Sequence, residues 1–89
     1  MTTLEQLRED VTHRLTFASL SHLSIQRATI IGALRKIAEY HRARGEFQKA
    51  LRRENVCLAL KKDRLDTKRS LPMQAAEFYL HELFMPQNS

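Results

Sequence analysis

The chain has 89 residues, 43% of them apolar, enough for one domain with a packed core and too many for global disorder. Two Gly and two Pro are too few for a turn-rich β fold, and a single Cys excludes an internal disulfide framework or a Cys-based zinc site. With 15 Lys and Arg against 10 Asp and Glu the net charge is +5, which favours an anionic partner.

In chain order, the first element is a helix over residues 3–22. Thr2 with Glu5 three residues on has the spacing of a capping box, in which hydroxyl and carboxylate each satisfy a free amide. Leu4, Leu7, Val11, Leu15, Ala18 and His22 recur at helical spacing within about 80° of arc, a narrow core-facing stripe. Phe17 and Leu20 fall on another face. The serines between Ala18 and Ser24 mark a soft point, where Ser24 is placed to cap a second helix or a single helix bends. That second helix covers residues 25–44. Ile30, Leu34, Ile37 and His41 form its stripe, with Ile31 and Ala38 beside them and Arg35, Glu39 and Arg42 opposite. Gly32 inside it calls for the close approach of a neighbour or a kink, since glycine there costs about 1 kcal/mol relative to alanine. Gly45 is a stop signal, able to take the left-handed conformation after a helix end rich in arginine.

A third helix is expected over residues 47–66, with Phe47, Leu51, Leu58 and Leu65 as its stripe. Glu54 and Lys61 interrupt that stripe, and Val56 and Leu60 lie on the other side. Ser70-Leu-Pro72 opens a fourth helix, 72–85, because proline is tolerated in the first turn. Its stripe is Met73, Ala76, Leu80 and Phe84, flanked by Tyr79 and Leu83, and Pro86 ends it. The expected architecture is all-α: residues 1–89 as a single helical domain, a three- or four-helix antiparallel bundle or helical hairpin that dimerises.

Charge is unevenly spread: residues 1–26 carry net −1, residues 27–69 net +8 and residues 70–89 net −2. Arg35, Arg42, Lys49, Arg52 and Arg53 are the candidate anion or nucleic-acid face, forming one stripe along phosphates if the second and third helices are stacked or continuous. Part of the charge is expected to pair locally, Arg35 with Glu39 and Lys62 with Asp66. Phe17, Leu20, Val56, Leu60 and Phe78 lie off the core stripes and are the candidate protein interface.

Nothing that carries chemistry converges. The histidines at 13, 22, 41 and 81 are scattered, so no metal site is expected. His22 and His41 read as half-buried. Cys57 sits mid-helix and reads as a small buried residue rather than a nucleophile. The glycines stand too far apart for a phosphate loop. No cofactor and no enzymatic activity are expected. The longest mostly apolar run, Ala28 to Leu34, has seven residues, far short of a membrane span. The lone thiol, and charged Arg8, Glu9 and Asp10 where an export leader is apolar, point to an intracellular, cytoplasmic setting.

Two resemblances bear on the middle of the chain. Gln26-Arg-Ala28 followed by Gly32 faintly resembles a DNA-binding helix-turn-helix, with small residues four apart. Leu34, Ile37, Ala38, Gly45, Phe47, Ala50 and Leu58 look similar to the helix-turn-helix of one tetratricopeptide repeat. The match spans about thirty residues and departs at Glu54 and Lys62. That likeness implies a tight antiparallel hairpin around Gly45 and no particular function. The functional expectation is a small non-catalytic protein-interaction module, an adaptor, inhibitor or chaperone-like protein, binding an acidic partner protein and forming a homodimer. The alternative is a nucleic-acid binder that reads duplex RNA or DNA backbone.

Overall fold

Helix starts and stops follow the local chemistry. The computed structural model describes residues 2–18, 23–62 and 70–86, and all four elements in them are helices: α1 Leu4–Ala18, α2 Leu23–Ala43, α3 Phe47–Lys62 and α4 Leu71–Leu83. The reciprocal cap that opens α1 lies one residue later than expected. Thr3 Oγ1 accepts from the Gln6 amide at 3.1 Å, and Gln6 Oε1 accepts from the Thr3 amide at 3.0 Å. Glutamine replaces the expected Glu5 because it alone stands three residues after the capping threonine. Ser24 lies inside α2 rather than capping it, and residues 19–22, including Leu20 and His22, are outside the described set.

The α2–α3 turn is the best-defined connection. Gly45 has φ of 78°, the Gly45 amide donates to Arg42 O at 3.0 Å, and the Glu46 amide donates to His41 O at 2.9 Å. This pair of bonds is a Schellman motif, and only glycine takes that left-handed position without strain. The chain therefore reverses. Arg42 meets Glu54, and further from the turn the Cys57 Sγ lies 3.5 Å from Ile31 O, as in an antiparallel hairpin. The hairpin implied by the tetratricopeptide likeness is present. A helix-turn-helix near Gly32 is not: α2 runs unbroken through that glycine. The neighbour Gly32 makes room for is the Arg14 guanidinium of α1, whose Nη1 would lie 3.4 Å from a Cβ at that position.

At α4, Ser70 Oγ accepts from the Met73 amide at 3.3 Å and Pro72 occupies the first turn, as expected. The core joins Leu7 and Val11 of α1, Ile31, Leu34 and Ile37 of α2, Cys57 and Leu60 of α3, and Ala76, Leu80 and Leu83 of α4. Phe84, expected in the α4 stripe, is 44% exposed, because the helix ends there and Leu83 takes the buried position.

The larger correction concerns α3. Phe47, Leu51 and Leu58, expected in the core, are exposed, and Leu65 lies outside the described residues. The buried side is Ala50, Arg53, Cys57 and Leu60. Small Ala50 and Cys57 let α2 approach closely, and that packing sets the face. No helix among the described residues is long and apolar enough to cross a membrane.

Candidate interaction surface

The five basic candidates do not form one stripe. The antiparallel hairpin separates Arg35 and Arg42 on α2 from Lys49, Arg52 and Arg53 on α3. Three of them are already engaged. Arg42 Nη2 lies 2.6 Å from Glu54 Oε1, and Lys49 Nζ lies 3.5 Å from Glu46 Oε2. Arg53 is only 4% exposed, contrary to its place on a surface face. Three residues after Ala50 and four before Cys57, it lies on the buried face of α3, where Nη1 donates to Lys49 O at 2.8 Å and the guanidinium stacks 4.4 Å from the Tyr79 ring centroid. Arg35 and Arg52 remain exposed. Glu39 approaches Lys36, at 3.9 Å, rather than Arg35.

The apolar candidates divide as well. Phe17 and Phe78 are exposed, at 66% and 61%. Leu20 lies outside the described residues. Leu60 is fully buried in the core, contrary to an interface role, while Val56 is only partly buried and packs against that core.

The surface the sequence reading missed is the outer face of α3. Phe47, Leu51 and Leu58 are 59%, 47% and 55% exposed. Their spacing of four and seven keeps them within about 40° of arc on the helix. Basic groups border this row. The Arg42 guanidinium lies 6.0 Å from the Phe47 ring centroid. Lys61 and Lys62 are exposed and follow Leu58 by three and four residues, the spacing of side-chain neighbours on a helix. Arg35 stands seven residues before Arg42 on the same side of α2. Burial pushes the Cys57 thiol pKa up, and the positive charges of Arg35 and Lys61 act against that shift. The one carboxylate in the row, Glu54, is neutralised by Arg42. The signal that could have revealed this face was the interruption of the stripe by Glu54 and Lys61, with small residues at 50 and 57 about 90° round the helix.

A second feature lies where the ends of all four helices meet. Glu46 collects three nitrogen partners: His41 Nδ1 at 3.0 Å, Arg44 Nε at 3.3 Å and Lys49 Nζ at 3.5 Å. The His41 hydrogen bond, with Lys49 and His41 charge behind it, holds the Glu46 carboxyl below its ordinary pKa. Beside this cluster a cleft of about 90 Å³ is lined in part by Tyr40, Arg44, Lys49, Arg53, Tyr79 and Glu82. Burial lowers the Arg53 pKa, and Glu82 opposes that shift.

Among the described residues no three His, Cys, Asp or Glu side chains are grouped to hold a metal. Cys57 is buried at 3% exposure with its thiol against a carbonyl. Comparison with known protein families, with characterised proteins and with solved structures finds no match to this chain.

Proposed function

We propose that the protein is a non-catalytic protein-interaction module whose docking surface is the outer face of α3, and that its partner presents an acidic amphipathic helix. The observation that carries this reading is the row Phe47, Leu51 and Leu58, solvent-exposed about 120° round α3 from the centre of its buried face. Contiguous exposed apolar side chains with a polar rim are the mark of a docking site. A helix laid against such a row uses anchors at i, i+4 and i+7. The exposed Arg35, Lys61 and Lys62 near this row call for Asp and Glu flanking those anchors, and like charge there disfavours a basic partner. Two copies of the chain packed row against row would set two basic rims together, so a second copy fits this surface less well than an acidic partner.

The nucleic-acid reading loses support from the same geometry. Arg42 and Lys49 are paired within the chain, and Arg53 is buried. Among the described residues, the five candidates do not form one line that could follow a phosphate backbone.

The test uses a fluorescent synthetic peptide that forms an amphipathic helix with Leu anchors and a Glu-rich flank. The control carries the same anchors and a Lys-rich flank. The acidic peptide is expected to bind, more weakly as salt rises, and the control is not. Leu51→Asp with Leu58→Asp should abolish binding while helicity by circular dichroism is unchanged. Equal binding of both peptides, or binding that survives the double variant, would overturn the reading. So would a protein that doubles in mass through this face, or one that holds duplex RNA with a steep salt slope and neither peptide.

A further inference from the structure

The geometry points to the cleft beside Arg53 as a binding site for a small oxyanion, a phosphate or a carboxylate, separate from the α3 outer face. Arg53 is a permanent cation at 4% exposure, and such a charge is costly to bury unless its donors are filled. A guanidinium carries five N–H donors. Nη1 reaches Lys49 O at 2.8 Å, Nη2 has one long contact of 3.4 Å to Glu82 Oε1, and Nε has no hydrogen-bond partner. The edge bearing Nε and Nη2 is the one that oxyanions take in a bidentate fashion, and here it is the underused edge.

The surroundings fit an anion. Arg44 and Lys49 stand at the cleft with exposed side chains, and Tyr40 and Tyr79 line its walls. Two carboxylates are also present. Glu46 is saturated by His41, Arg44 and Lys49 and neutralised in place. Glu82 is 45% exposed and held to Arg53 only by the long contact, so it can swing outward and admit a ligand. The cleft, at about 90 Å³, offers roughly the room of three waters, enough for one small oxyanion and too little for a nucleotide.

The experiment follows the Arg53 Nε–H signal by ¹⁵N nuclear magnetic resonance during titration with inorganic phosphate, and separately with acetate, at constant ionic strength. A saturable shift of that signal is expected, with a parallel rise in melting temperature. Whichever of the two anions saturates identifies the ligand as phosphate-like or carboxylate. Arg44→Gln lies on the surface and leaves the fold intact. It should weaken binding about tenfold, the value of one charge-assisted hydrogen bond. Arg53→Met lacks the reporting signal but keeps the apolar packing on Tyr79, and should abolish the anion-dependent rise in melting temperature. An unmoved signal with both anions, a linear change equal to that with sodium chloride, or undiminished binding in Arg44→Gln would overturn the proposal and leave the cleft to water.

Discussion

Glu46 and Arg53 sit about two helical turns apart on the same end of the bundle, and their surroundings treat charge in opposite ways. Glu46 meets the His41 ring and the cations Arg44 and Lys49 at a half-buried site, so the folded state favours its ionised form. Arg53 is a cation with an incomplete set of acceptors. The Glu46 arrangement ties stability to pH. Its folded pKa lies below the ordinary 4.5, first through the His41 hydrogen bond, so the stabilisation is fully present above the unfolded pKa. It is lost as the pH falls through the folded value. Glu46→Gln is therefore expected to lower the urea midpoint at neutral pH. The wild-type and variant midpoints should converge between about pH 5 and pH 3, as the wild-type carboxylate takes up its proton. Parallel curves across that range would show that the three partners do not depend on Glu46 being charged.

At the level of elements, α3 shows what a single helix sequence can and cannot reveal. Its start was legible, since Gly45 fixes it, while the expected end at residue 66 lies outside the described residues. Its buried face was not. Two faces carry apolar groups at helical spacing, and periodicity favours Phe47, Leu51 and Leu58 because they are the larger. Packing favours the other face, because Ala50 and Cys57 permit close contact with α2 while Leu60 fills the space behind them. Arg53 on that buried face was unreadable for the same reason: an arginine in a basic segment reads as surface unless a Tyr79 from another helix is known to cover it. Stability should follow the observed face. Leu60→Ala is expected to cost about 2–5 kcal/mol through lost burial and a cavity. Leu58→Glu should cost less than about 0.5 kcal/mol, the usual range for an exposed site. Chemical denaturation of the two variants compares these costs directly, and a reversal of their order would restore the face that periodicity alone selects.

Across the whole molecule, one arginine joins the two ends of the chain. Arg8 on α1 donates from Nε to Leu83 O at 2.8 Å and from Nη2 to Met85 O at 3.2 Å, across 75 and 77 residues of sequence. Leu83 is the last residue of α4 and Met85 follows its C-cap Phe84, so the helix has no later amides to satisfy these carbonyls. A cation there also complements the negative end of the helix dipole. The contact brings α1 against α4 and closes what would otherwise be a central hairpin with a helix attached on either side. The resulting Cα radius of gyration is 12.8 Å, close to the roughly 12 Å of a compact domain of this length. No local pattern announces such a bond, because neither the capping rules for α4 nor the charge pattern of α1 specifies a partner so far away. Arg8→Ala is therefore expected to lose about 1–3 kcal/mol, the value of charged hydrogen bonds to carbonyls left without other partners. Amide exchange should locate the loss. Protection should fall together in the first turns of α1 and the last turns of α4, while the α2–α3 hairpin, held by its own Schellman turn and by the Ala50 and Cys57 packing, keeps its protection. A uniform loss across all four helices would mean that the bundle opens as one unit, with Arg8 contributing to global stability and holding no separable joint between the chain ends.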